Sequence, residues 1–202
     1  MLDVNEKELV RREPRLVEIL VRHMDKSSPR VQSQAATVLG TLACDGECQL
    51  PHPVISCSRP TADNRQLELI KANGLNPLLR LLQSPDPGSI FAAASCVWNL
   101  TDKPTNGPLV IKAGFLQPLV NLLAFKDNRT AQFYAAGALC RLATNAENSR
   151  RAIVDAGTVQ SIKELVVEAS VGIQIEMTGC IRNLSSSGMH SPFNCLFESH
   201  RP

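Results

Sequence analysis

Two stretches carry one pattern twice: Lys71-Ala72-Asn73-Gly74-Leu75-Asn76-Pro77-Leu78-Leu79-Arg80-Leu81-Leu82 and Lys112-Ala113-Gly114-Phe115-Leu116-Gln117-Pro118-Leu119-Val120-Asn121-Leu122-Leu123. Ala72 aligns with Ala113, Pro77 with Pro118 and Leu78 with Leu119. A third copy is Asp155-Ala156-Gly157-Thr158-Val159-Gln160-Ser161-Ile162-Lys163-Glu164-Leu165. A fourth, Arg15-Leu16-Val17-Glu18-Ile19-Leu20-Val21-Arg22-His23-Met24, lacks the Ala-Gly and keeps the apolar run. Asn73, Gly114 and Gly157 stand where the chain must turn, and Asn and Gly tolerate the left-handed conformation that ends a helix. Leu75, Leu78, Leu79 and Leu82 then recur at the spacing of one helix face. Pro77 falls in that helix's first turn, where a missing N–H costs nothing.

A second anchor follows each copy: Val38-Leu39-Gly40-Thr41-Leu42-Ala43, Cys96-Val97-Trp98-Asn99-Leu100-Thr101, Ala138-Leu139-Cys140-Arg141-Leu142-Ala143 and Cys180-Ile181-Arg182-Asn183-Leu184-Ser185. The intervals from Asn99 to Arg141 and from Arg141 to Asn183 are both 42 residues, and that from Thr41 to Asn99 is 58. A period near 42 predicts repeats of two or three helices. Within one repeat, residues 65–72 give a short first helix carrying Leu67 and Ile70, and Ser84-Pro85-Asp86-Pro87-Gly88 breaks the second. Residues 90–100 then form a longer third helix, in which Ala92, Ala93 and Ala94 allow close approach. Asn106-Gly107-Pro108 turns the chain into the next repeat. A repeat of this size cannot hide its apolar side alone, so it stacks on its neighbours. The expected organisation is an armadillo-size repeat over 1–45 with a partial first helix, a non-fitting loop insert over 46–64, repeats over 65–104, 105–146 and 147–187, and a divergent tail over 188–202.

Composition narrows the function class. Of the 202 residues 44% are hydrophobic, 20% charged and only 4% aromatic, so aliphatic side chains must do the packing. A net charge of +2 is too weak a basic balance to mark a nucleic-acid binder. No apolar run reaches the roughly 18 residues of a membrane span. Met1-Leu2-Asp3 begins no secretory signal, and with Leu2 in second place it offers no glycine for an acyl chain. The seven cysteines are an odd count, and Cys96, Cys140 and Cys180 sit in apolar helical stretches as small buried hydrophobes. That usage fits a reducing, cytosolic compartment.

The Ala-Gly turn, the Leu-Val-x-Leu-Leu second helix and the Asn-Leu ending of the third helix resemble armadillo repeats. Longer strings, Glu13-Pro14-Arg15-Leu16-Val17, Gln66-Leu67-Glu68-Leu69-Ile70, Ala113-Gly114-Phe115-Leu116-Gln117-Pro118-Leu119-Val120 and Cys180-Ile181-Arg182-Asn183-Leu184, resemble the fungal vacuolar armadillo family, the vacuolar protein 8 family. The resemblance covers residues 4–187 apart from the insert. It implies an all-α armadillo-repeat right-handed α-solenoid of about four repeats. It also implies a non-enzymatic adaptor or scaffold at the cytosolic face of the vacuole. That family recruits partners for vacuole inheritance, vacuole fusion, nucleus–vacuole junctions and autophagy-related transport. Its acylated N-terminus has no counterpart at Met1, so the chain is expected to be a fragment of a longer scaffold. Such a fragment would be cytoplasmic when it lacks that anchor. With no capping repeat evident, both ends should expose apolar surface, which favours self-association.

The insert Gly46-Glu47-Cys48-Gln49-Leu50-Pro51-His52-Pro53-Val54-Ile55-Ser56-Cys57-Ser58-Arg59-Pro60 has no helical period. Gly46-Glu47-Cys48 can be encoded by GGT-GAG-TGC and Gly188-Met189 by GGT-ATG, so insert and tail both read as retained intron. Cys44, Cys48, His52 and Cys57 are of zinc-ligand type, but their spacing matches no paired knuckle, and thiols in a loop are the expectation. No metal and no cofactor is expected. His23, His52, His190 and His200 are scattered, and no Gly-rich phosphate loop follows a strand. Three glycosylation-type triplets, Asn99-Leu100-Thr101, Asn128-Arg129-Thr130 and Asn183-Leu184-Ser185, are read as chance matches. The cluster Arg11-Arg12-Glu13-Pro14-Arg15 reads as a solvated face.

The resemblance places successive third helices along a concave groove that holds extended segments of partner proteins. The ladder Thr41, Asn99, Arg141, Asn183 would line it, joined by Trp98 and Arg182 and, one and two turns earlier, by Gln34, Ser95, Tyr134 and Glu176. An Asn amide both donates and accepts, so it can hold an extended backbone without demanding a sequence. Against this stand core packing for Trp98 and a bond to its own repeat's backbone for Asn99. Thr41 and Arg141 interrupt the ladder. Nuclear-import receptors of the armadillo type repeat a Trp-Asn pair on successive third helices, and here only Trp98-Asn99 shows it. A zinc-binding or thiol enzyme built on the insert cysteines is the remaining alternative.

Overall fold

A computed structural model describes residues 15–44, 60–125, 128–145, 147–166 and 169–186, and among these every regular element is helical. The chain divides into two compact units, Met1–Leu100 and Thr101–Pro202. The first holds α1 (Leu16–Lys26), α2 (Pro29–Ala43), α3 (Pro60–Lys71), α4 (Leu75–Leu82) and α5 (Pro87–Leu100). The second holds a 3-10 turn at Pro104–Asn106, then α6 (Gly107–Lys112), α7 (Leu116–Leu123), α8 (Arg129–Leu142), α9 (Glu147–Asp155), α10 (Thr158–Val166) and α11 (Val171–Ser185).

The turns between first and second helices are those the repeated Ala-Gly and Ala-Asn pairs require. Asn73 has φ 58°, Gly114 φ 89° and Gly157 φ 82°. Asn and Gly are the residues that occupy this left-handed region at low cost. The second helix that follows buries Pro77, Leu78, Leu81 and Leu82, while Leu75 and Leu79 are only half-buried. Its buried stripe is therefore turned by one residue from the expected Leu75-Leu78-Leu79-Leu82 face, because α4 packs against α5 as well as against its own unit's earlier helices.

Two boundaries differ from the sequence reading. The third helix α5 begins at Pro87 rather than at Ile90. Asp86 explains it: its Oδ2 accepts from the Ser89 backbone N–H at 2.8 Å and from the Ser89 hydroxyl at 2.7 Å, and Pro87 occupies the first helical position. The first helix α3 begins at Pro60, inside the 46–64 stretch expected as a loop, for the same reason that proline suits a helix's first turn. Residues 45–59, with Cys48, His52 and Cys57, lie outside the described residues, as do 1–14 and 187–202, which include the tail expected over 188–202.

In each unit third helix packs on third helix: α5 on α2, and α11 on α8. Small residues make this close. Ala92, Ala93 and Ala94 are fully buried on α5, and so are Ala135, Ala136 and Ala138 on α8. The anchor leucines Leu42, Leu100, Leu142 and Leu184 are all buried, as equivalent positions of one repeat should be. Buried glutamines supply cross-links that the periodicity does not reveal. Gln66 Nε2 donates to the Ala43 carbonyl at 3.1 Å and to the Asn99 carbonyl at 3.0 Å, tying the C-terminal ends of α2 and α5 through α3. Gln132 Nε2 donates to the Leu123 carbonyl at 2.7 Å, fastening α8 to the end of α7. Asn128 caps α8 by accepting from the Ala131 N–H at 2.9 Å.

Gln66→Leu should cost about 1–3 kcal/mol in a urea melt, because two buried carbonyls lose their donor while the apolar volume is kept; an unchanged midpoint would show that the bridge contributes nothing. The two bonds from Ser89 hold the Asp86 carboxyl below its ordinary value of 3.8. The sign follows: the cap's contribution is present above that ordinary value and is lost as pH falls through the lower folded value. Wild type should therefore lose more thermal stability below about pH 4 than Asp86→Asn does.

Candidate peptide-binding surface on the third helices

In the first unit, α2 and α5 carry five of the expected groove residues. Gln34 and Thr41 are exposed, and Thr41 spends its hydroxyl on the Thr37 carbonyl at 3.0 Å. Ser95, half-buried, donates to the Ala92 carbonyl at 3.0 Å. Trp98 and Asn99 are half-buried. Asn99 Nδ2 donates to the Gly40 carbonyl of α2 at 2.9 Å. The bond goes to the preceding third helix, not to the backbone of its own repeat. The Gly40 carbonyl also accepts from the Cys44 N–H at 3.1 Å, so both of its lone pairs are used.

The second unit repeats the bond. Asn183 Nδ2 donates to the Cys140 carbonyl of α8 at 3.1 Å, one residue before the ladder position, just as Gly40 precedes Thr41. The ladder asparagines thus use one N–H to fix the register of adjacent third helices. Arg141, standing where an Asn would, has another partner: its Nη2 lies 3.5 Å from Asp102 Oδ1, with both side chains about a quarter exposed. Tyr134, half-buried, meets Phe133 edge-on at 5.7 Å with an interplanar angle of 66°. Arg182 is exposed and Glu176 half-buried.

Cys140 departs from the reading of three small buried hydrophobes. Cys96 and Cys180 are fully buried, and burial pushes the Cys96 thiol up to about 12 and raises that of Cys180 as well. Cys140 is only half-buried, and its thiol donates to the Glu176 carboxylate. Burial, then the neighbouring Glu176 charge, pushes Cys140 up to about 11, so it stays a protonated donor at neutral pH. Burial also raises the Glu176 carboxyl, against the pull of Arg141 and the Cys140 hydrogen bond. Among the described residues no cluster of His, Cys, Asp and Glu could hold a metal; of the four zinc-type residues only Cys44 falls within them.

Sequence reasoning did not find Asp102, Gln66 or the Cys140–Glu176 bond. The one available cue was the change from Asn to Arg at position 141, since a half-buried guanidinium needs an acid beside it.

Asn183→Ala should lower stability by about 1 kcal/mol through loss of one inter-helix hydrogen bond, read from the shift of the urea midpoint. For Glu176 the raised carboxyl contributes stability below its ordinary value of 4.5, and that contribution is lost as pH rises through the higher folded value. Glu176→Gln should then raise the melting temperature at pH 7 and reduce the gain that wild type shows on mild acidification. A lower melting temperature for the variant at pH 7 would mean that the carboxylate is stabilised in place.

The Armadillo/beta-catenin-like repeat family matches residues 63–102 and 108–144. Vacuolar protein 8 of Schizosaccharomyces pombe is 38% identical over 184 residues, which is 91% of this chain and 30% of that protein. Vacuolar protein 8 of Candida albicans is 37% identical over 93% of this chain and 29% of its own length. This is an armadillo-repeat chain, related to fungal vacuolar protein 8. It spans about 30% of the length of these curated relatives. The armadillo fold is equally plain among solved structures. Computationally designed armadillo repeat proteins for modular peptide recognition superpose with a TM-score of 0.77 at 20% identity, over 91% of this chain and 70% of theirs. A designed armadillo repeat protein in complex with the peptide (KR)4 gives 0.75 at 21% identity, again over 91% of this chain and 70% of that one. No helix among the described residues is long and apolar enough to cross a membrane.

Proposed function

We propose that this armadillo block is a protein-binding part of a vacuolar scaffold. In this reading it holds extended segments of partner proteins on its third helices and brings those partners to the cytosolic face of the vacuole. The processes served are vacuole inheritance, vacuole fusion, nucleus–vacuole junctions and autophagy-related transport. The similarity to vacuolar protein 8 along 91% of the chain is the observation that carries this reading. Membrane attachment in this reading comes through a lipid anchor, not through these helices. The groove residues are Gln34, Thr41, Ser95, Trp98 and Asn99 in the first unit and Tyr134, Arg141, Glu176, Arg182 and Asn183 in the second. Asn99 keeps one N–H and the carbonyl oxygen of its amide for a guest, the other N–H being given to Gly40; Asn183, whose Nδ2 reaches both the Cys140 carbonyl and, at 3.7 Å, Cys140 Sγ, offers its amide oxygen.

A second reading, reception of basic peptides, is favoured by the Trp98-Asn99 pair and by the fold shared with a designed protein that binds (KR)4. Arg141 and Arg182 weigh against it, since like charges facing a basic guest are repulsive.

The test is a tiled array of peptides from the cytosolic tails of fungal vacuole-membrane proteins, probed with the whole chain, with (KR)4 as a separate titrant. A subset of array peptides should bind, and Tyr134→Ala with Arg141→Ala should weaken them about tenfold, or about 1.4 kcal/mol, with helix content unchanged. Binding indifferent to those substitutions would remove the groove assignment. Tighter binding of (KR)4 than of any tiled peptide would favour the second reading.

A further inference from the structure

Arg141 is the one charged member of its ladder, whose other members are Thr41, Asn99 and Asn183. A lone arginine on a binding surface favours acidic guests. Arg141 is not alone. Asp102, on the turn before Pro104–Asn106, brings its Oδ1 to 3.5 Å from Arg141 Nη2, and both side chains are about a quarter exposed. Glu176, on α11, lies close enough for the Arg141 charge to act on its carboxyl. Glu176 is also held in place, because its carboxylate accepts from the Cys140 thiol. Gly179 makes room for that thiol, since a Cβ there would stand 3.0 Å from Cys140 Sγ. The guanidinium is thus flanked by carboxylates from two separate elements of the second unit.

The consequence is one of charge balance. A guest carboxylate laid on Arg141 would gain from one positive charge and lose to two negative ones, and partly buried charges are screened little by salt. A guest carbonyl carries no net charge and meets none of that repulsion. It needs only a nearby donor, and a guanidinium carries five N–H groups in a planar fork. At the same ladder position residues 99 and 183 are asparagine, a neutral amide that likewise suits a backbone group. The arginine with its two acids is the charged equivalent of that neutral amide.

We infer that Asp102 and Glu176 set the specificity of the groove at Arg141: they balance its charge, so that it takes a partner segment by a backbone carbonyl and turns away a segment that places a carboxylate there. Rejection of a wrong guest by a like charge built beside the attractive group is an ordinary route to specificity. The inference rests on the groove proposed above and names the class of guest it takes, an extended segment with no acidic residue over Arg141. Asp102 enters as a positioning residue, since it acts on the guest through Arg141.

The probe is the tightest binder of the tiled array, resynthesised with alanine or glutamate at each position in turn and titrated by fluorescence anisotropy against the whole chain. The position over Arg141 is the one whose glutamate-to-alanine ratio changes in Arg141→Ala. There wild type should bind the glutamate peptide about fivefold more weakly than the alanine peptide. Asp102→Asn and Glu176→Gln, each made singly, should raise affinity for that glutamate peptide to match or exceed the alanine one, a gain that loss of folding cannot produce. Arg141→Ala added to either variant should remove the gain. Wild type that prefers glutamate at this position, or a ratio unchanged in both single variants, overturns the inference and leaves the groove reading standing. Binding of no tiled peptide, or binding indifferent to Arg141→Ala, removes the groove reading and this inference with it.

Discussion

One hydrogen bond sets the spacing of everything else: a third-helix asparagine reaching back to a carbonyl on the third helix before it. Asn99 makes it to Gly40 and Asn183 makes it to Cys140, at nearly the same length. A half-buried amide given a fixed acceptor specifies register in a way that apolar contact does not, because dispersion forces are non-directional. Close approach is the condition for the bond, and the glycines and alanines along these helices meet it. A Cβ on Gly40 would stand 3.4 Å from the Cys96 Cα, an ordinary van der Waals contact, so the position takes an alanine and a side chain larger than that would press α2 away from α5.

In the proposed groove the same asparagines would serve a guest as well. Their Nδ2 groups are held by the neighbouring helix, and a group held in this way loses little conformational freedom on binding. Arg141 breaks the series, and the second unit compensates with Asp102 and Glu176 around it. Charge at that rung is therefore balanced locally, and the protein carries a Cys140–Glu176 hydrogen bond where the first unit has glycine and alanine. The third helices differ at most positions, while the buried anchor leucines Leu42, Leu100, Leu142 and Leu184 stay alike.

Much of this was legible before any coordinates. The Ala-Asn and Ala-Gly pairs demanded left-handed turns because no other residues take that conformation cheaply, and Asn73, Gly114 and Gly157 adopt it. The recurrence of Leu42, Leu100, Leu142 and Leu184 located the core because equivalent residues of a repeat meet equivalent surroundings. The start of α5 was placed three residues late, since Pro87 was read as a breaker although Asp86 makes it a helix start. Gln66 and Gln132 look like ordinary surface residues in a linear reading. Their burial follows from carbonyls at the ends of other helices that nothing nearby in sequence could satisfy.

The sequence alone determined the local matters: where helices turn, which face of each is apolar, and that the pattern returns every 42 residues. These depend on backbone sterics and on periodicity, which a single strand of text contains. Only the tertiary structure decided which polar groups are consumed and which remain. Asn99 was read in the text as a groove amide or as bound within its own repeat, and in the fold it is bound to Gly40 of the preceding third helix; Cys140 was a small hydrophobe in the text and is a donor to Glu176 in the fold. The reason is that a hydrogen bond depends on distance and angle between residues far apart in the chain, and those are set only when one helix has come to rest on another.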